Sequence, residues 1–334
     1  MEEPISGRIL AGDIGGTKTN LALYSVQEGR LSLISTRSFQ SRDYPDLGSL
    51  LKEFLLDASG TVTRACFGIA GPVVGDKVET PNLPWVIDGR ELARSFGLSR
   101  VLLINDLEAT AYGILNLGPG ELVSLNQGLS EQKGNMAVIA AGTGLGEAIL
   151  FWDGKDHRPF ASEGGHADFA PRTPVEIELL GYLTCRFGHV SYERVVSGPG
   201  LLNIYGFLRD SHRFVEPSWL KERFLEGDPG SVISEAALDH GVEICVTALD
   251  LFVSIYGAEA GNLALKAKAT GGFYVAGGIA PKILPKLKDG AFVRAFMEKG
   301  RFSDFLSKIP VHVVLNEEAA LQGAAYYAAF GFNG

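Results

Sequence analysis

Two segments of this chain share one layout, in which an apolar strand, a glycine-rich turn and a second apolar strand follow each other. The first segment spans residues 9–26 and turns at Gly15-Gly16, and the second spans residues 137–152 and turns at Gly142-Thr143-Gly144. Strands joined by so tight a turn pair antiparallel, whereas a Rossmann repeat would place a helix after its first strand. The repeated unit therefore predicts two similarly built domains that face each other across a cleft.

The first turn is close in sequence to a nucleotide-binding phosphate loop. Its residues 12–19, G-D-I-G-G-T-K-T, depart from the pattern G-x-x-x-x-G-K-[ST] only at Thr17. A phosphate loop leads from a strand into a helix, but the residues after Lys18 alternate as a strand does. A glycine hairpin can still direct backbone N–H groups at an anion, and Asp13 could hold the Mg²⁺ that accompanies it. A plain hairpin is the alternative, and we assign no task to Lys18.

The remaining chain alternates between strand and helix patterns. Further strands are indicated over residues 31–39, 65–70 and 101–104. Helices are indicated after Asp46, over residues 88–96 and after Asp106. This order predicts a mixed five-stranded sheet with helices on its faces, repeated in each domain. Residues 235–266 are apolar around much of a helical circumference, as expected for buried core helices.

The bulk composition excludes several functional classes. The net charge is -9 and no run of Lys and Arg occurs, so we expect no nucleic-acid partner. No uninterrupted apolar run reaches about 18 residues and the N-terminus is acidic, so we expect neither a membrane span nor a secretory signal. Cys66, Cys185 and Cys245 form no Cys-x-x-Cys pair, which argues against a disulfide framework or a thiolate zinc site. These features predict a cytoplasmic globular protein.

Two polar residues directly follow an apolar strand at Leu102-Leu103-Ile104-Asn105-Asp106. The carboxyl ends of strands are where α/β proteins bind their ligands. Asp106 could remove a proton from a hydroxyl group, and Asn105 could orient a neighbouring one. Equally, Asp106 could do no more than cap the helix that follows.

Two further clusters are candidates for binding. The segment Glu163-Gly164-Gly165-His166-Ala167-Asp168, completed by Glu193, could bind a metal ion, could hydrogen-bond adjacent sugar hydroxyls, or could be a polar surface turn. The glycines Gly277-Gly278 follow a strand pattern and precede a helix that would begin near Pro281. Glycines at such a junction let a flat ring or a phosphate approach the backbone.

In chain order these motifs resemble the sugar kinases of the actin-like ATPase superfamily and, more closely, the bacterial-type glucokinases. The motifs that carry the resemblance extend over nearly the whole chain: Asp13-Ile-Gly-Gly-Thr17, Gly68-Ile-Ala-Gly-Pro72, Pro81-Asn-Leu-Pro-Trp85, Ile104-Asn-Asp106, Gly142-Thr-Gly-Leu-Gly146, Glu163-Gly-Gly-His166, Glu193-Arg-Val-Val-Ser-Gly-Pro-Gly200 and Ala276-Gly-Gly278. The resemblance implies an α/β fold of two ribonuclease H-like domains that flank an active-site cleft. The small domain would comprise residues 1–112 and a returning helix over residues 318–334, and the large domain residues 113–317.

The resemblance also implies an activity, the ATP-dependent phosphorylation of glucose at its 6-hydroxyl group, a step of glycolysis, with Asp106 as general base. The residues expected to bind glucose are Asn82, Asn105, Asp106, Gly144, Glu163, His166 and Glu193. The residues expected to bind ATP are Gly15, Gly16, Thr17, Gly142, Thr143, Gly144, Gly277 and Gly278, with Asp13 binding Mg²⁺ largely through water. A homodimer is expected. A zinc ion is not expected. The related ROK (repressor and sugar kinase) proteins usually have a Cys-rich motif, and only Cys185 lies near that position in this chain.

Other functions remain as rivals. A kinase of the same superfamily could act on another hexose or an N-acetylhexosamine, because the shape of the pocket selects the sugar. A non-catalytic sugar-sensing regulator is disfavoured, since only twelve residues precede Asp13 and the chain is acidic. An actin-like filament or chaperone ATPase would have no evident use for Glu163, His166 and Glu193.

Overall fold

The computed structural model describes residues 7–27, 30–56, 60–80, 83–129 and 133–331. The chain divides into two compact units: unit 1 is Met1–Gly118 with Asn316–Gly334, and unit 2 is Pro119–Leu315. A boundary after residue 112, as the sequence suggested, would cut a helix that continues to Ile114, and the division instead follows Gly118.

Unit 1 begins with three consecutive strands that pair antiparallel and continues with alternating helices and strands. Its strands are β1 (Gly7–Ile14), β2 (Lys18–Gln27), β3 (Arg30–Gln40), β4 (Val62–Ile69), β5 (Lys77–Glu79), β6 (Val86–Asp88) and β7 (Arg100–Asn105). Its first helices are α1 (Leu47–Leu56), α2 (Gly89–Phe96) and α3 (Asp106–Ile114). Five strands form a sheet of order β3-β2-β1-β4-β7, in which β1 pairs antiparallel with β2 and parallel with β4. The ribbon of β5 and β6 was not predicted, because strands of three residues are too short to show alternation.

Carboxylates begin two helices of unit 1, as the sequence predicted for the first of them. Asp46 Oδ1 accepts a hydrogen bond from Ser49 N at 2.6 Å at the start of α1. Asp88 accepts from the backbone N–H groups of Arg90 and Glu91 and caps α2. Such caps bind backbone donors that have no partner within the helix.

Unit 2 contains a second sheet and most of the helices. Its strands are β8 (Leu122–Asn126), β9 (Met136–Ala141), β10 (Leu145–Trp152), β11 (His157–Ser162), β12 (Gly272–Ala276) and β13 (Val311–Val314). Its helices are α4 (Pro174–Phe187), α5 (Gly198–Asp210), α6 (Ser218–Glu226), α7 (Pro229–Leu238), α8 (Glu243–Ala267), α9 (Leu284–Leu287), α10 (Ala291–Met297) and α11 (Ser303–Ser307).

The sheet of unit 2 repeats that of unit 1 and adds a strand. The order β11-β10-β9-β12-β13 has the same succession of antiparallel and parallel pairs as β3-β2-β1-β4-β7. A sixth strand, β8, pairs antiparallel with β13, so the prediction of five strands is wrong for unit 2. Because β8 is short, half-buried throughout and paired with a strand far away in the chain, no local pattern revealed it.

Helix α8 forms the centre of the unit 2 core, where Phe252 and Tyr256 are fully buried. The predicted helical region over residues 235–266 is interrupted at Gly241, whose φ of 61° separates α7 from α8. By length and composition alone α8 could cross a membrane, but 78% of its most apolar window is buried inside the protein. Its apolar surface is therefore used for packing within unit 2.

The last helix, α12 (Ala319–Phe330), returns to unit 1 and packs on α3, β1 and β4. Two glycines permit this approach, because a Cβ at Gly113 would overlap Ala319 O and a Cβ at Gly323 would overlap Ala109 O. The small side chains of the segment A-A-L-Q-G-A-A-Y-Y-A-A-F thus let two helices pack backbone to backbone.

Candidate active site

The first glycine hairpin joins β1 to β2 and is held by neutral groups. Gly15 N donates to Lys18 O at 3.0 Å, and Ser41 N donates to Thr17 O at 2.9 Å. Ser41 Oγ donates to Gly15 O at 2.7 Å and lies 2.9 Å from the buried Thr19 Oγ1. A Cβ at Gly15 would lie 2.9 Å from Lys18 O, so this turn requires glycine. A tight backbone turn of this kind is suited to binding an anion through N–H groups.

The tip of this hairpin is accessible. Thr17 and Lys18 are exposed and Gly16 is half-buried. Lys18 affects its surroundings through its charge, which lowers the pKa of Asp13 against stronger opposing effects.

Two carboxyl groups interact at the carboxyl ends of strands in unit 1. Asp13 lies near the end of β1, and Asp106 directly follows β7. The strand between them, β4, places Gly68 beside Asp13, and a Cβ at Gly68 would lie 3.7 Å from Asp106 Cα. Burial and the charge of Asp106 raise the pKa of Asp13 to about 6, although a hydrogen bond from Asn20 opposes the shift. Carboxylates that repel each other in this way suit a divalent cation.

Asn105 and Asp106 both take part in the start of α3. Each side chain accepts a hydrogen bond from Leu107 N at 2.9 Å through its Oδ1 atom. Asn105 is the N-cap residue, and its Nδ2 atom donates to Gly71 O at 3.2 Å. Asp106 therefore lies at the positive end of the α3 dipole.

The second glycine hairpin joins β9 to β10 in unit 2. Gly142 N donates to Gly144 O at 2.9 Å, and Gly142 O accepts from Gly198 N at 2.8 Å. Gly198 is the first residue of α5, which Ser197 caps by accepting from Gly200 N at 3.0 Å. The positive end of α5 consequently lies at this hairpin, where it favours an anion.

The Gly277-Gly278 turn lies beside the second hairpin, because β12 pairs parallel with β9. Gly277 has a φ of 84°, and a Cβ there would overlap Ala141 O. Ile279 N donates to the same Ala141 oxygen at 3.3 Å. This left-handed turn directs the chain back onto β9, so α9 begins only at Leu284 and the predicted start near Pro281 is wrong. The two glycine turns of unit 2 thus present adjacent stretches of backbone.

Unit 2 brings three predicted sugar-binding side chains together. Glu163 precedes the short 3₁₀ turn Gly164–His166, His166 is its last residue, and Glu193 lies in the 3₁₀ turn Tyr192–Arg194. The imidazole lies 3.9 Å from Glu163 Oε2 through Nε2 and 4.0 Å from Glu193 Oε1 through Nδ1. Side-chain exposures of 69%, 61% and 30% for Glu163, His166 and Glu193 leave all three accessible to a ligand. Two carboxylates around an imidazole offer the acceptors and the donor that adjacent hydroxyl groups need.

Three glycines allow the cluster of Glu163, His166 and Glu193 to pack closely against β10 and the second hairpin. A Cβ at Gly144 would lie 2.6 Å from Glu193 Oε2, the atom that accepts from Leu145 N at 3.0 Å. A Cβ at Gly164 would overlap Glu147 Oε2, and one at Gly165 would overlap Leu145 O. The Gly164–His166 turn therefore packs directly on β10.

Other predicted residues lie elsewhere. The Asp168 carboxylate is 2.7 Å from His189 Nε2, and both side chains are exposed. Asn82 lies outside the described residues. Across the described ranges, no group of three or more His, Cys, Asp and Glu side chains could hold a metal ion.

Some supporting residues were missed from the sequence. Ser41, Thr19 and Ser197 hold the two hairpins, and a buried pair, Glu147 and Glu259, lies beneath the Gly164–His166 turn. Of these residues, Glu147 alone could have been noticed in the sequence, because it is a charged residue within the otherwise apolar strand L-G-E-A-I-L-F-W. The serine and threonine residues carry no such signal.

Known proteins resemble this chain over nearly its full length. A family model described as glucokinase matches residues 10–330. The glucokinase of Nostoc sp. is 44% identical over 337 residues, which cover 96% of this chain and 98% of that protein. A glucokinase structure from an Antarctic psychrotroph superposes with a TM-score of 0.84 at 30% identity, covering 96% of this chain and 98% of that one. The glucokinase of Balamuthia mandrillaris, solved in complex with glucose, has a TM-score of 0.82 at 22% identity, covering 97% and 94%. These likenesses confirm the actin-like ATPase fold predicted from the motifs.

Proposed function

Because this chain belongs to the glucokinase family, we propose that it transfers the terminal phosphoryl group of ATP to the 6-hydroxyl group of glucose. The observation that carries the proposal is the interacting pair Asp13 and Asp106, next to a hairpin of backbone donors on the same sheet. Phosphoryl transfer depends mostly on positioning and on neutralising charge, so a carboxylate base and a backbone anion site are appropriate equipment.

Asp106 acts as the general base in this proposal. Its carboxylate accepts the proton of the 6-hydroxyl group as that oxygen forms a bond to the terminal phosphorus, while the bond from phosphorus to the bridging oxygen breaks and ADP leaves. Asn105 is already engaged with Leu107 N and Gly71 O, and retains a second amide hydrogen and lone pair for a neighbouring sugar hydroxyl.

Mg²⁺ enters the site with ATP as part of the substrate. Asp13 fits this ion, because it is a partly buried carboxyl group whose pKa is raised by burial and by Asp106, so a nearby cation would relieve the repulsion. Asp13 would hold the ion largely through water, and the ion would neutralise charge on the phosphates.

The remaining assignments follow the family resemblance. Gly15, Gly16 and Thr17 would bind the transferred phosphate, Gly142, Thr143 and Gly144 the other phosphates, and Gly277 and Gly278 the adenosine. Glu163, His166 and Glu193 would bind the sugar hydroxyls, and the distances near 4 Å from the His166 imidazole to each of the two carboxylates support a shared ligand. We further propose a homodimer that works in the cytoplasm, supported by the family resemblance.

A sugar panel tests the proposal. ADP release would be measured with Mg-ATP and glucose, mannose, fructose, galactose, N-acetylglucosamine or N-acetylmannosamine. We expect the highest kcat/KM with glucose and glucose 6-phosphate as product. A higher kcat/KM with another sugar would reassign the substrate, and sugar binding without any ADP release would favour a sensor.

A further inference from the structure

A carboxyl group buried in β10 supports the turn that carries Glu163 and His166. Glu147 is 1% exposed and faces Gly164 so closely that a Cβ there would overlap Glu147 Oε2. Ser162, its partner on β11, donates to Glu147 O at 3.3 Å through Oγ and accepts from Gly164 N at 3.2 Å. The height of the turn above the sheet is therefore set by the Glu147 side chain and its strand.

The partner of Glu147 is a second buried carboxyl group, Glu259 of α8, which is fully inaccessible. Glu259 accepts from Asn262 Nδ2 at 2.7 Å, and Lys266 Nζ lies 3.5 Å from its other oxygen. Glu147 Oε1, by contrast, has no hydrogen-bond partner among the described residues. Asn262 Nδ2 and Lys266 Nζ both approach Glu259, whereas no such donor approaches Glu147 Oε1 among the described residues. We therefore assign a proton shared by the two carboxyl groups to Glu147.

Burial and the neighbouring Glu259 raise the pKa of Glu147 to about 8, while Lys266 opposes the shift. Other titratable groups around the pair are Tyr256 of α8, Tyr192 and Lys299. Burial raises the pKa of both tyrosines above the ordinary value, so they stay neutral near pH 8. On β9, the residue opposite Glu147 is the apolar Ile139.

The buried pair Glu147 and Glu259 is also connected to the Gly164–His166 turn through Tyr192. The Tyr192 hydroxyl hydrogen-bonds to Glu259 and accepts from Asn262 Nδ2 at 3.0 Å, while Lys299 Nζ donates to Asn262 Oδ1 at 2.6 Å. The Tyr192 backbone N–H donates to Ala167 O at 3.0 Å, directly after His166. Glu193 follows Tyr192 in the chain, so all three proposed sugar ligands are connected to the buried pair.

We propose that Glu147 is a proton-carrying positioning residue, which hydrogen-bonds to Glu259 and keeps Glu163, His166 and Glu193 in the arrangement that binds the sugar. This inference rests on the proposed glucose site. When the proton is lost, two carboxylates repel each other in a buried space, and the turn that rests on Glu147 is displaced. Sugar affinity then falls while the nucleotide site is unaffected.

The test compares the native protein with Glu147→Gln, whose amide cannot ionise but can still donate to Glu259. For the native protein, KM for glucose should rise by up to about tenfold per pH unit above about pH 8, as the competent fraction falls. KM for Mg-ATP should not rise over the same pH range. In E147Q the alkaline rise in KM for glucose should be absent, with KM within about twofold of the native value near neutral pH. The matched control is Glu176→Gln, another buried glutamate of unit 2, which should keep the alkaline rise.

A melting experiment without substrate separates this inference from the proposed function. Because the folded state holds a proton on Glu147 between its ordinary pKa of 4.5 and about 8, native stability falls as pH rises through that window. The Tm of E147Q minus that of the native protein should therefore increase from acid to alkaline pH. A pH-independent difference in Tm would overturn the proton assignment, and an alkaline rise in KM for glucose that persists in E147Q would overturn the positioning role. Absence of glucose-dependent ADP release from the native protein would contradict the proposed function alone.

Discussion

The two glycine hairpins occupy equivalent places on equivalent sheets, yet different chemistry holds them. The β1–β2 hairpin is held by the hydroxyl group and backbone N–H of Ser41. The β9–β10 hairpin is held by Gly198 at the start of α5, and its neighbour Leu145 N donates to the Glu193 carboxylate. The first hairpin is therefore shaped without any proposed sugar ligand, whereas the second is bonded to Glu193, which is a proposed sugar ligand.

The carboxyl pairs of the two units differ in a related way. Asp13 and Asp106 lie at the carboxyl ends of strands, where α/β proteins meet their ligands. Glu147 and Glu259 are buried within unit 2 and can act only on the residues packed around them. One topology thus supports a pair suited to chemistry in unit 1 and a pair suited to positioning in unit 2.

The largest expected effect comes from removing the unit 1 carboxylate assigned to chemistry. Asp106→Ala should lower kcat by about 10²- to 10⁴-fold, because a general base contributes about that much. Nucleotide affinity, measured by calorimetry, should change little. The control is Asp88→Ala, since Asp88 ends strand β6 and accepts from the first N–H groups of a helix in unit 1. That variant should lose about 1 kcal/mol of stability and keep its kcat. Near-native turnover by D106A would contradict the role of Asp106 as general base. The unit 1 carboxyl pair would then no longer differ from the unit 2 pair by a part in the chemistry.

An intermediate effect is expected where a hairpin and the sugar site share a residue. In Gly144→Ala the new Cβ would lie 2.6 Å from Glu193 Oε2, so the carboxylate must move and its bond to Leu145 N weakens. Loss of a hydrogen bond to a charged group costs about 1.5 to 3 kcal/mol, so KM for glucose should rise about tenfold or more.

The control for G144A is Gly181→Ala in α4, where a Cβ meets nothing within 4 Å. It should leave both KM values unchanged and stabilise the helix by up to about 1 kcal/mol. If G144A raised KM for Mg-ATP but left KM for glucose unchanged, the second hairpin would affect glucose binding no more than the first hairpin does.

The smallest effect is expected at the hairpin held by neutral groups. Ser41→Ala removes the hydroxyl group that donates to Gly15 O, which should cost about 0.5 to 1.5 kcal/mol in urea unfolding. KM for Mg-ATP should rise a few-fold, and KM for glucose should stay constant. Ser25→Ala in the same sheet is the control, because its hydroxyl group is exposed and its contact to Ser32 O is long, at 3.4 Å. A parallel increase in KM for glucose in S41A would show that both hairpins are coupled to the sugar.

Much of the fold could be predicted from local patterns. The strands of both glycine hairpins, the cap at Asp46 and the returning helix that became α12 were located to within a few residues. Predictions went wrong where the deciding contact was distant or the element short. The strand β8 and the ribbon of β5 and β6 belong to these cases, as does the start of α9, which Gly277 delays by turning the chain onto Ala141.

The sequence proposed residues for the candidate site but not their arrangement. It indicated Asp13, Asp106, Glu163 and His166 because polar residues follow apolar strands or sit on glycine turns, and it indicated Glu193 as a sugar ligand through the family resemblance. It did not indicate Ser41 or Glu259, since a serine at a strand end and a glutamate in a long helix are ordinary features of a surface.

The sequence by itself determined where this chain turns and which segments are strands, because backbone conformation and side-chain periodicity are set by residues close together in the chain. Only the tertiary structure decided which carboxyl groups interact. Gly68 of β4 lets Asp13 and Asp106 influence each other, and α8 brings Glu259 to Glu147 across the core. Periodicity shows that a residue will be buried, but the group it is buried against depends on the order of strands in the sheet and on how the helices pack on it.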